Sequence, residues 1–172
     1  MKKIINNRVF RICLVILLFV VIFLSVFRVP TRLSAARFNK YTNLPVGLLE
    51  KGVDWSDYTV EGGFGMLRYS RETETGYISY DVSNWPDAIF GSHRVDYIIC
   101  CDNSIDIYHF SVGDGRAEAE MILRKNYFRP GSNEHQFVRN GVVITLFSAN
   151  SDDVISEIRI SATSTNILGI VY

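Results

Sequence analysis

The chain has 172 residues, equal numbers of basic and acidic side chains, 48% hydrophobic and 21% charged residues, eleven Phe and nine Tyr. This composition excludes a disordered chain, and once an apolar N-terminal segment is set aside the remainder suits one domain. The charge is segregated: residues 1–40 carry only basic side chains, eight of them, so residues 41–172 hold ten basic against eighteen acidic groups, a formal charge of −8 that predicts no nucleic-acid partner.

Residues 12–27 form an apolar run whose only polar side chain is Ser25, bounded by Arg11 and Arg28. At 1.5 Å per residue such a helix spans about 24 Å, short of a hydrocarbon core of about 30 Å, and snorkelling arginines with Val9, Phe10 and Val29 extend it. The run reads as a signal-anchor: residues 1–11 a basic tail, 12–29 a transmembrane helix, 30–47 a juxtamembrane neck and 48–172 the displayed domain. A cleavable signal peptide competes, since Ser34-Ala35-Ala36 imitates a cleavage site, but Arg28, Pro30 and Arg32 separate it from the run. Cys13 stands at the start of the run, not at its end where lipidation occurs. Four basic residues precede the run and four follow it, so orientation rests on the free amine and the usual fate of such anchors. The expected location is the cell membrane, single-pass, with a cytoplasmic N-terminus and an extracytoplasmic domain.

The domain is predicted to be α+β, a mainly antiparallel sheet with one principal helix at about 114–126. Residues 33–41 continue the first helix until Asn43, Pro45 and Gly47 break it. Residues 64–71 and 77–82 flank a polar turn and read as a hairpin, and a second hairpin is expected from 94–101 and 105–112 across Asp102-Asn103-Ser104. In the first of these strands Val95, Tyr97 and Ile99 form one face. In the second, Tyr108 and Phe110 share one face, opposite Ile105, Ile107 and His109. Gly113-Asp114-Gly115 opens the helix with Asp114 as cap; Glu118, Glu120, Arg124 and Lys125 suit its dipole, and Ala119, Ile122 and Leu123 make its inward stripe. Strands follow at about 136–139, 141–147 and 154–161, with Asn140-Gly141 the strongest hairpin signal.

The succession Ile107-Tyr108-His109-Phe110-Ser111-Val112-Gly113-Asp114, a capped helix, and three short strands ending Ile158-Arg159-Ile160-Ser161 resembles the helix-plus-meander unit of SmpA/OmlA-type envelope lipoproteins and of β-lactamase-inhibitor-like domains. It also resembles membrane-anchored proteins of Gram-positive bacteria that carry this unit. The resemblance spans roughly residues 107–161 and implies a binding or scaffolding module with an envelope protein as partner, without catalytic residues. The chain departs from the lipoproteins in lacking a lipidation cysteine after its apolar run.

Chemistry-bearing residues are sparse. His93, His109 and His135 lack metal-ligand spacing, and His109 reads as partly buried. Adjacent Cys100 and Cys101 point to opposite faces of a strand and read as half-buried thiols rather than a redox pair. Asp102, Ser104 and Asp106 open like a calcium loop, but Ile107 and Gly113 occupy the positions that need glycine and glutamate. Gly113-Asp114-Gly115 lacks the Lys-Ser/Thr of a phosphate loop. Of Trp55, Trp85, Tyr97, Tyr108, Tyr127 and Phe128, most are expected in the core, and the face of Tyr108 and Phe110 is the first candidate for a partner surface. No catalytic, cofactor-binding or metal-binding residue is assigned. The sequence therefore reads as a membrane-anchored, non-enzymatic binding or scaffolding module of the bacterial cell envelope. The alternative is a membrane-tethered envelope hydrolase using His109, His135 and nearby carboxylates.

Overall fold

In the computed structural model the described residues are 7–63, 65–84, 94–149 and 153–162, with the side chains of 7–9, 23–31, 65, 83 and 84 left aside. The fold is α+β. Helix α1 (Asn7–Lys40) leads into strands β1 (Thr59–Gly63), β2 (Gly65–Thr73), β3 (Gly76–Asn84) and β4 (Val95–Cys100). Helix α2 (Arg116–Lys125) follows, and then β5 (Arg129–Pro130), β6 (Gln136–Arg139), β7 (Val142–Ser148) and β8 (Ile155–Ala162).

All eight strands join one antiparallel sheet in the order β1-β2-β3-β4-β8-β7-β6-β5. Two meanders, β1–β4 and β5–β8, meet where β4 pairs with β8. The register lines up Tyr69, Tyr80, Ile98, Ile160, Ile144 and Phe137 as one row across six strands. A parallel row holds Ile78, Cys100, Ile158 and Leu146. These rows face the core, because α2 adds Ala119 and Leu123, the 105–110 segment adds Ile105, Ile107, Tyr108 and Phe110, and Phe128 closes the space after α2.

The sequence expectation for the faces of β4 is corrected. Ile98 and Cys100 are buried, whereas Tyr97 and Ile99 lie half-buried on the opposite face. Val95 still reaches the core because a register shift between Asp81 and Val82 places it opposite Val82. Apolar residues on both faces left period-2 alternation with no unique phase.

A second correction concerns 105–112, which is no strand. Ile107 and Phe110 exchange backbone bonds of 2.8 and 3.2 Å around Tyr108 (φ 57°) and His109 (φ 73°), a tight turn with two left-handed residues. Such turns ordinarily use Asn-Gly. Here the Tyr108 ring fixes the conformation: it stacks on Tyr41 at 5.5 Å and meets Phe128 edge-on at 5.6 Å, and its hydroxyl accepts a 2.5 Å bond from Arg139. By contrast Asn140-Gly141 forms its expected turn, with φ of 46° and 85°.

α2 is found, but Asp114 does not cap it. The N-cap is Gly115 without a side-chain bond, and the Asp114 carboxylate accepts the Ser111 amide at 2.8 Å instead. At the other end Tyr127 takes the left-handed position (φ 65°) usually given to glycine, so that the Phe128 amide returns to the Leu123 carbonyl at 3.0 Å.

The end of α1 belongs to the domain and is not a free neck. Ser34, Ala35 and Phe38 are buried, and Val46 and Leu48 join the same core. Asn39 clamps the returning chain: its amide donates to the Leu48 carbonyl at 3.0 Å and its Oδ1 accepts the Leu48 N–H at 2.8 Å. Gly47 makes room for this clamp, since a Cβ there would lie 2.4 Å from Asn39 Nδ2. Farther back, the described side chains of α1 from Phe10 to Ile22 have no such cover. Its apolar side chains from Phe10 to Ile22 are 48–73% exposed around the whole circumference. Among the described residues no helix is long and apolar enough to cross a membrane.

Removing the Phe38 ring from this joint should lower unfolding stability by about 3–4 kcal/mol. Chemical denaturation of Phe38→Ala against the parent chain, in the same detergent, measures it; a loss below about 1 kcal/mol would show that the joint is not part of the core.

Candidate functional site

Among the described residues a concavity lies where the first meander, the 50–55 segment and α1 come together. Leu67 and Tyr69 on β2, Val82 on β3 and Val95 on β4 form its apolar floor, and Trp55 forms a wall. The 50–55 chain is held there by backbone bonds from Leu49 N–H to the Val95 carbonyl (2.8 Å) and from Val95 N–H to the Glu50 carbonyl (3.2 Å). Trp55 stacks on Tyr69 with centroids 4.3 Å apart and planes at 16°, and Tyr58 meets it edge-on at 5.1 Å. The cavity measures 460 Å³. A neighbouring cavity of 360 Å³ extends from it toward α1, where Arg32, Ala36 and Asn39 line it, and Glu50, Lys51 and Arg94 are common to both. The result is a groove with an aromatic limb and a cationic limb. Large rigid rings beside a charged rim favour recognition of a ligand with an apolar body and a polar group.

Neither described histidine, His109 or His135, lines the groove. His109 is 89% exposed at the side chain and lies 3.9 Å from Asp106. It is not the partly buried histidine that a strand would have made it. His135 lies 3.2 Å from its neighbour Glu134 on another loop, and His93 lies outside the described residues. Neither described histidine has the oriented partner and cavity that general acid–base work requires. Among the described residues no group of three or more His, Cys, Asp or Glu side chains is placed to hold a metal.

Cys100 is buried and Cys101 half-buried, both as free thiols. Burial pushes the Cys100 thiol up to about 11 and raises that of Cys101, so both are protonated at neutral pH and are poor nucleophiles. Asp102 turns inward, only 1% exposed. Its Oδ1 accepts the Thr75 hydroxyl, the Ser104 hydroxyl at 2.7 Å and the Ser104 amide at 2.8 Å. Burial opposes ionisation of this carboxyl, but the hydroxyls of Thr75 and Ser104 and the Ser104 amide outweigh it and lower it to about 2. Asp106 instead accepts the His109 amide at 2.8 Å, so the two carboxylates do not converge as calcium ligands. Gly76 admits the Asp102 hub by close approach, since a Cβ there would lie 2.0 Å from the Cys101 carbonyl oxygen.

The amides of Gly113, Asp114 and Arg116 are committed to protein acceptors. Gly113 N–H bonds to the Ile155 carbonyl at 2.8 Å and Arg116 N–H to the Asp153 carbonyl at 2.7 Å. They form a joint with β8 and leave no anion cradle.

The expected partner face of Tyr108 and Phe110 is overturned, because both side chains are buried. Phe128 is buried too, Tyr97 and Trp55 are half-buried, Tyr127 is 80% exposed, and Trp85 lies outside the described residues. Of the described aromatic candidates, only Trp55 lines the groove. Glu50, Lys51, Tyr69 and Arg94 were not legible as site residues, because strand pairing and the return of α1 bring them together from distant positions.

No protein-family model matches the chain, and no curated protein matches its sequence. The 1.5 Å crystal structure of an extracellular protein containing a SCP domain from Bacillus anthracis str. Ames is similar at a TM-score of 0.49 and 10% identity. The match covers 71% of this chain and 46% of that one, so this chain spans less than half that protein's length. At that level the likeness assigns neither fold nor function.

Two outcomes test the placement of these residues. Replacing exposed, left-handed His109 by glycine should raise stability by about 0.5–1 kcal/mol; a fall of that size would instead give the imidazole a structural role. The Asp102 carboxyl, lowered in the folded state, contributes stability that is fully present above about pH 4 and is lost as pH falls toward about 2. Asp102→Ala should therefore cost about 2 kcal/mol at neutral pH and flatten the stability profile between pH 4 and 2, as read from urea melts.

Proposed function

We propose that this chain is a membrane-anchored binding module of the bacterial cell envelope, with α1 as its anchor and the aromatic groove beside Trp55 as its recognition site. The observation that carries this reading is the girdle of exposed apolar side chains on α1, joined to a helix end that is packed into a folded domain. A helix that is apolar on every side is stable when protein or lipid covers it, and the domain leaves the side chains from Phe10 to Ile22 uncovered. The girdle described as far as Ile22 is too short to span alone. The helical backbone nevertheless runs for 34 residues, about 50 Å, and the apolar sequence continues to Phe27 before Arg28.

On this reading residues 12–29 cross the bilayer, the basic tail stays in the cytoplasm and the acidic domain is displayed outside. Its charge makes tethering rather than attraction to lipid the reason it remains at the membrane. The groove supports recognition better than catalysis, because an envelope protein or peptide with an apolar side chain beside a charge fits Trp55, Tyr69 and the Glu50, Lys51 and Arg94 rim.

Cells expressing the full chain should retain it in membranes through alkaline carbonate washing, and a reporter fused after Tyr172 should be active only outside the cytoplasm. Release by carbonate would remove the anchor, and a cytoplasmically active reporter would reverse its orientation. In the same cells Trp55→Ala should reduce cross-linked envelope partners about ten-fold or more while leaving membrane retention intact.

A further inference from the structure

The cationic limb of the groove has a feature that recognition of an envelope protein does not use: it begins on the anchor helix itself. Arg32, four residues beyond Arg28, lines the 360 Å³ cavity together with Asn39, Lys51 and Arg94. Along a helix that interval is about 6 Å. The headgroup zone on each side of a bilayer is about 5–8 Å deep, so an anchor ending at Arg28 sets the mouth of this cavity among the headgroups. The position is fixed, because Ala35, Phe38 and the Asn39 clamp on Leu48 lock α1 to the domain immediately above it.

We infer that this limb binds the phosphate of an anionic phospholipid headgroup, and that it orients the domain on the bilayer. The inference rests on the anchor reading. Guanidinium groups from two elements, Arg32 on α1 and Arg94 beside β4, suit a phosphate that accepts forked hydrogen bonds. Of the nearby carboxylates, Glu50 accepts the Gly47 amide at 2.5 Å, and Asp96 pairs with Arg94 at 3.2 Å, so a bound phosphate shares the Arg94 guanidinium with Asp96. Burial, opposed by Arg94, raises the Asp96 carboxyl. Residues 41–172 carry a formal charge of −8, so a site of opposite sign at the bilayer-facing end lets an otherwise repelled domain sit close to an anionic leaflet.

Full-length protein exchanged from detergent into nanodiscs of phosphatidylcholine, with or without phosphatidylglycerol, should retain phosphatidylglycerol in preference when its bound lipids are read by native mass spectrometry. Arg32→Gln and Arg94→Gln should each reduce that preference about five-fold, while Lys125→Gln, which removes a cation at the end of α2, should not. Arg32 is exposed on its helix, so its replacement leaves the fold intact and keeps the test decisive if Arg94→Gln loses stability. Equal retention by parent and Arg32→Gln protein, or an equal loss in Lys125→Gln, overturns the site. Complete displacement of the lipid by inorganic phosphate reassigns it to a small soluble anion and overturns the lipid assignment. Carbonate extraction of the same variants separates the two readings: loss of lipid preference with membrane retention leaves the anchor standing, whereas extraction of the parent chain removes the anchor and this inference with it.

Discussion

The docking of the last turns of α1 into the domain is the contact on which the remaining arrangement depends. Phe38 and Ala35 supply apolar surface, and Asn39 supplies both a donor and an acceptor to Leu48, so the chain must double back as soon as the helix ends. That return carries Val46 and Leu48 into the core and lays the 50–55 segment across β4. Tyr41 then stacks on Tyr108, and the Tyr108 ring holds a turn whose backbone no local preference would select. A helix that starts as an isolated apolar rod thus finishes as a structural member of the sheet's cover.

The two faces of the sheet divide the labour. The covered face is built from aligned rows of Ile, Tyr and Phe. The other face carries polar pairs, above all the cross-strand fork from Arg68 to Asp81 at 2.7 and 2.8 Å and, along β8 itself, the pairing of Arg159 with Glu157. The Asp81 carboxylate is buried, so its fork satisfies a charge that would otherwise be costly there. Asp102 is the comparable device at the join between the first meander and the crossing segment, where hydroxyls from β3's approach and from Ser104 replace water around one carboxylate. These groups look like chemistry in the sequence and act as architecture in the fold.

What the sequence made legible follows from where local and tertiary preferences agree. The β2–β3 hairpin, α2 with Ala119 and Leu123 inward, and the Asn140-Gly141 turn each had a local signal that packing reinforces. The turn at Tyr108-His109 had none: an aromatic residue took a left-handed conformation because its ring is held by Tyr41, Phe128 and Arg139 from elsewhere in the chain. The faces of β4 were ambiguous because Val95, Tyr97, Ile98 and Ile99 offer apolar side chains in both phases. The groove was legible only through Trp55. Its other walls come from β2, β3 and β4, and their convergence is a property of pairing over long sequence separations.

The meeting of the two meanders at β4 and β8 also has a consequence for the order of assembly. The first meander is complete at Cys100, yet its inner edge has no partner until β8, more than fifty residues later, has been made. Until then an edge strand bearing Ile98 and Ile99 is open to pairing with another chain, and closure of the long intervening loop makes the seam slow to form. Substitutions at Ile158 or Ile160 therefore weigh on yield and aggregation during synthesis more than the finished contacts alone imply, because they act on the step that seals the sheet.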